Sequence, residues 1–107
     1  ILRDLARLRA AYLALDENDI DGAGNRVTPL AVTGNPWRHG AREVLGLVAM
    51  EKGDNETAIG YFSEIEADQE APSNIRARAT AMIAVLQGGT SIPDGSSGSS
   101  EGGTAPQ

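Results

Sequence analysis

"LGLVAMEKGDNETAIGYF", residues 45–62, decides the fold. On its left, Leu45, Val48 and Ala49 continue an apolar stripe with helical spacing that begins at Trp37, Ala41 and Val44. On its right, Ala58, Ile59, Phe62 and Ile65 start a second stripe with the same period. Between them stands only "KGD", where Gly53 ends one helix and Asp54 caps the next, with Glu56 adding negative charge to its first turn. So short a connection makes the two helices antiparallel neighbours. Gly46 and Ala58 are small where such a pair comes closest, and Phe62 is sized to fill the groove beside them.

Working outward, Leu2, Leu5, Leu8, Tyr12 and Leu15 predict a helix over residues 1–16. "DENDIDGAG" (16–24) reads as a turn rich in Asp, Asn and Gly, followed by a short helix over 25–32 with Pro29 in its first turn. Asn35 as N-cap and Pro36 at the first helical position predict a helix over 36–52, and Asp54 one over 54–67. Pro72 starts a last helix to residue 86, with Ile75, Ala79, Met82, Ile83 and Leu86 inward. No run alternates with period two, so the fold class is all-α, built from short antiparallel helix hairpins. The folding unit spans residues 1–87. Residues 88–107, dominated by Gly and Ser, are expected to be a disordered tail because they carry too little apolar surface to offset ordering entropy.

Charge narrows the partners. The formal net charge is −6, from 15 acidic and 9 basic residues, which disfavours a nucleic-acid backbone or an anionic membrane surface. There is no Cys, hence no disulfide and no thiolate metal site. No apolar run is long enough to span a bilayer, so membrane attachment would need an anchor absent from this chain. The chain opens at Ile1 inside an amphipathic pattern, as an N-terminally truncated domain would, and its exposed apolar face is a candidate for self-association.

Leu45-Gly46, Ala58, Phe62 and Pro72 resemble the tetratricopeptide pattern of W-x2-L-G-x2-Y, then A-x3-F, then P. Arg42 and Ala49 depart from it at the Trp and Tyr positions, and Pro72 falls slightly late. More specifically, Pro36-Trp37-Arg38, Ala41, Glu43, Gly46-Leu47, Gly53-Asp54, Ala58, Pro72 and Ile75-Arg76-x-Arg78-Ala79 resemble the tetratricopeptide-like family of the ancillary SecYEG translocon subunit. "DLARLRAAYLALD" (4–16) is similar to the preceding helix of that family, so the likeness covers nearly all of residues 1–87. The resemblance implies a stacked helical-repeat solenoid fragment in an inner-membrane protein facing the periplasm. Its implied partners are other proteins: translocon subunits, periplasmic chaperones or client segments.

Catalytic and metal chemistry find little support in the residues. Trp37, His39, Arg42 and Glu43 cluster, but one His with neither a second His nor a Cys gives no metal set, and His39 with Glu43 reads as a surface pair. Trp37 is expected to anchor the start of its helix. "ENDIDGAGNRVT" (17–28) has acidic residues at alternate positions and Gly22 where a calcium loop needs glycine, yet Thr28 replaces the bidentate Glu. It reads as an acidic connection. The carboxylates of "EIEADQE" (64–70) are expected to receive Arg76 and Arg78 across the turn at Pro72. Asn55-Glu56-Thr57 matches a glycosylation sequon but opens a helix. The expectation is a non-catalytic protein-interaction module with no cofactor and no metal. The alternative is a soluble cytosolic repeat scaffold or regulator with unrelated partners.

Overall fold

In the computed structural model, which describes residues 2–88, five α-helices follow one another in chain order: α1 (Leu2–Asp16), α2 (Ile20–Val27), α3 (Arg38–Glu51), α4 (Asn55–Ala67) and α5 (Ser73–Gly88). No strand occurs among the described residues. Each helix packs on the next, and α3 also touches α1 and α5. No described helix is long and apolar enough to cross a membrane. The expected tail lies outside the described residues.

Two apolar clusters sit on either side of α3. Ala11, Ala14, Ala23, Val27, Leu30, Ala41, Val44 and Val48 form the first, from α1, α2, α3 and, for Leu30, the 3-10 turn after α2. Ala49, Ala58, Phe62, Ile65, Ala71, Ala79 and Ile83 form the second, from α3, α4, α5 and, for Ala71, the α4–α5 connection. The helix ends follow local chemistry. Gly53, with φ +78°, lets α3 stop in a Schellman turn, in which Asp54 N donates to Ala49 O (2.9 Å) and Gly53 N to Met50 O (3.0 Å). Asp54 then caps α4 by accepting from Thr57 N at 3.2 Å.

Three boundaries differ from the sequence expectation. The stretch expected as a turn at 16–24 is helical from Ile20, because Asp19 acts as N-cap and accepts from Gly22 N at 3.1 Å. Pro29 lies not in a helix over 25–32 but in a 3-10 turn, Thr28–Leu30, that ends α2. Asn35 and Pro36 do not open α3: Asn35 Oδ1 accepts from Trp37 N at 2.8 Å, the helix begins at Arg38, and Trp37 is its N-cap residue. The turn between α1 and α2 is held by Asn18 at φ +64°, a left-handed position that Asn tolerates. On α1 the burial centres on Ala11 and Ala14, while Leu2 is 81% exposed rather than inward.

Close approach between helices is set by missing side chains. A Cβ at Gly46 would lie 2.6 Å from the tip of the Phe62 ring, and one at Gly40 would lie 2.8 Å from Leu8 Cδ2. Phe62 is only 1% exposed, so its ring cannot swing aside. Gly46→Ala is therefore expected to destabilise the fold by about 1–3 kcal/mol despite alanine's better helix propensity. Urea unfolding would check this, and a stabilised variant would contradict the tight contact.

Candidate functional site

Four charged or polar side chains on α3, Arg38, His39, Arg42 and Glu43, are all buried. An amphipathic reading expects one helix face in water. Here α3 is flanked by α1, α2, α4 and α5, so its polar residues are neutralised internally instead.

Three of them form a clamp at the start of α3. Arg38 donates through Nε to Asp68 Oδ2 (2.7 Å) and through Nη2 to Asp68 Oδ1 (3.2 Å), a two-pronged pair. Its Nη2 also reaches Glu70 Oε1 (2.7 Å), and its Nη1 reaches Asn35 O (3.0 Å). Arg42 Nη1 adds a bond to Asp68 Oδ2 at 3.2 Å and lies 3.4 Å through Nε from Glu64 Oε1. His39 Nδ1 stands 3.6 Å from the same Oδ2 and makes no hydrogen bond. An open hollow of about 520 Å³ adjoins the clamp, with Thr33, Arg42 and Glu64 on its walls. The carboxylates of the acidic turn are thus bound by α3, not by Arg76 and Arg78 as the sequence suggested. Arg76 instead donates through Nη2 to the main-chain oxygens of Asp68 (3.0 Å), Gln69 (3.0 Å) and Ala71 (3.3 Å), closing the end of α4.

The fourth residue, Glu43, belongs to a different place. It is 6% exposed and forms no surface pair with His39. Its Oε1 accepts from the Tyr12 hydroxyl (2.7 Å) and from Arg78 Nη2 (3.0 Å), and its Oε2 accepts from Arg78 Nε (2.7 Å). Through these bonds α1, α3 and α5 are tied at one point. Burial first, and then the Glu43 carboxylate, raise the Tyr12 pKa far above the usual phenol value, so the hydroxyl stays a donor. Above this triad opens a groove of about 490 Å³, walled by Leu47, Phe62, Arg78, Ala81 and Met82. Its lining is mostly apolar with a few polar groups at one end, the composition of a binding cleft.

The residues singled out as repeat positions fall as follows. Gly46, Ala58 and Phe62 meet at the α3–α4 contact, and Ala58 and Phe62 are buried there. Leu45 and Trp37 are half-buried against the first cluster, and the Trp37 Nε1 is buried without a partner. Pro72 is exposed, and its carbonyl accepts from Arg76 N as α5 begins. Sequence reading missed the buried clamp, although one signal pointed to it. Two arginines near the positive end of a helix are unfavourable there unless carboxylates from elsewhere approach them. In the acidic stretch 17–28, Asp19 caps α2, and Asp21 pairs with Lys52 at 2.7 Å. Among the described residues no group of three or more His, Asp or Glu side chains is placed to hold a metal ion.

Titration of the clamp separates two pH windows. Burial, and then the neighbouring Arg38, push the His39 pKa below its ordinary 6.5, so the folded state prefers neutral imidazole. Stability from this source is full above pH 6.5 and is lost as pH falls through the lower folded value. The Arg38 guanidinium holds the Asp68 carboxyl down to about 2, against burial that opposes it. That contribution is present above pH 3.8 and is lost as pH falls towards 2. Urea midpoints measured against pH should show both steps, and His39→Gln should remove only the upper one. Truncation of the other polar centre by Glu43→Ala, which leaves the Tyr12 hydroxyl without an acceptor, is expected to cost about 2 kcal/mol by the same measurement.

Comparison of the sequence with family models, with curated proteins and with solved structures finds no match.

Proposed function

We propose that the chain is a non-catalytic protein-binding module in which α1, α3 and α5 form the inner layer of a tetratricopeptide-like stack. The groove of Leu47, Phe62, Arg78, Ala81 and Met82 is its docking surface, and that groove is the observation that carries the reading. It is lined from α1, α3 and α5 with Phe62 of α4 added, and a stacked repeat presents its concave side along such alternate helices. The extents of 55 × 31 × 20 Å support the same arrangement, since 20 Å is about two helix diameters. The carboxylates of Glu43 and Asp68 are saturated by donors within the fold, which suits structural roles better than acid–base work.

Partner identity follows from the family resemblance of residues 36–79. On that reading the parent protein is membrane-anchored and faces the periplasm, and the groove receives translocon subunits, chaperones or client segments. A cytosolic scaffold with unrelated partners is the competing assignment.

Affinity purification of the parent from detergent-solubilised membranes, followed by mass spectrometry, separates the two. Recovery of translocon subunits and periplasmic chaperones supports the envelope reading, and recovery of other partners from the soluble fraction alone overturns it. In either compartment, Leu47→Glu and Met82→Glu, both at half-buried positions, are expected to weaken partner binding by at least about tenfold while the thermal transition is retained. Unchanged binding by both variants would remove the groove from the function.

A further inference from the structure

The Asp68 carboxylate has no acceptor site to spare. Its Oδ2 accepts from Arg38 Nε (2.7 Å) and Arg42 Nη1 (3.2 Å), and its Oδ1 from Arg38 Nη2 (3.2 Å) and Glu70 N (3.0 Å). Those donors fill the roughly four lone-pair sites of a carboxylate. His39 Nδ1 faces this group from 3.6 Å, is sealed from water and has no hydrogen-bond partner. A neutral ring with its proton on Nε2 fits there, because Nδ1 then carries none. An imidazolium does not. It sets an N–H at Nδ1 against an acceptor that is already full, and adds a third cation to a place with one buried carboxylate.

The surrounding charges leave no other outlet. Arg38 and Arg42 flank the ring on α3, and Asp68 and Glu70 face it from the α4–α5 turn. Arg76 of α5 is bound to main-chain oxygens of that same turn. Glu43, one helical turn further along α3, is taken up by Tyr12 of α1 and Arg78 of α5. On α2, Asp21 pairs with Lys52 and Arg26 with Asp19. Among the described residues, only Asp68 brings a carboxylate within 4 Å of a His39 nitrogen. Glu64 and Glu70 are 57% and 79% exposed, so water screens their charge.

We propose that a proton on His39 breaks the Asp68 clamp and unfastens the α4–α5 turn from α3, a mild-acid release built into the fold. If the imidazolium takes the place of one arginine on Asp68, that arginine is left over. Parting the turn from α3 removes the conflict, because it uncovers Nδ1 and returns all three cations to water. The carboxylates of Glu64, Asp68 and Glu70, held by α3 at neutral pH, then become an acidic outer edge of the neighbouring hollow. Linkage fixes the direction. Burial first, and then Arg38, disfavour the proton in the closed form, so the open form takes it up more readily. The open fraction therefore rises by up to about tenfold for each pH unit below 6.5, until the closed form is protonated as well.

Solvent exchange of the Arg38 Nε–H, which ends on Asp68, detects even rare openings of the clamp in the full chain. Its protection relative to free arginine would be followed from about pH 7.5 to about pH 4.5, with the Val44 and Val48 amides of α3 as the global reference. Protection at Arg38 should fall by up to about tenfold per pH unit below 6.5 while the two valine amides keep theirs. His39→Gln should make the Arg38 protection independent of pH. Arg42→Met vacates a site on Oδ2 for the Nδ1 proton, so protection should hold to a pH at least about one unit lower. An Arg42 that merely braces the turn would give the opposite result, an earlier loss. Constant protection in the wild type, a fall that survives in His39→Gln, valine amides that lose protection in step with Arg38, or an earlier loss in Arg42→Met would each overturn the proposal.

Discussion

The structure depends on how closely α3 can be approached. It has no side chain at Gly40, where Leu8 of α1 presses in, nor at Gly46, where the tip of the Phe62 ring of α4 meets the backbone. With those two approaches made, α3 becomes an interior helix that gives Ala41, Val44 and Val48 to the cluster on one side and Ala49 to the cluster on the other. Everything polar on α3 must then find its partner inside the protein. The Arg38–Asp68 clamp and the Glu43–Tyr12–Arg78 triad meet that requirement, the first by drawing the α4–α5 turn onto α3, the second by linking α1 to α5 across it.

Much of this was legible before any coordinates. The α3–KGD–α4 hairpin followed from periodicity and from the chemistry of Gly53 and Asp54, both of which act locally and so leave a local signature. The start of α2 was misplaced because Asp and Gly were read as turn residues, when Asp19 is the cap that begins a helix. Asn35 was misassigned for a related reason. Its side chain satisfies an amide in the turn before the helix instead of one within it.

The clamp was out of reach for a different reason. Arg38 and Asp68 are far apart in sequence, and nothing in either neighbourhood fixes how the α4–α5 turn folds back. An amphipathic pattern reports one buried face, and a helix covered on several sides breaks the premise of that reading. The same limitation hid the groove, whose walls come from four helices that meet only in the tertiary structure. The contact of Gly46, Ala58 and Phe62 was visible because they lie on adjacent helices joined by a short loop. Tyr12, Glu43 and Arg78 were not visible as a group.

The division of the apolar interior into two clusters, with α3 between them, has a consequence for folding. Contacts run almost wholly between neighbouring helices, so the loops that must close are short and the chain has the low contact order of fast-folding helical proteins. The outermost helices, each packed mainly on one neighbour and held to α3 by fewer contacts, are the least protected. The molecule should therefore lose structure by fraying from α1 or α5 towards α3, whose amides would be the last to exchange with solvent.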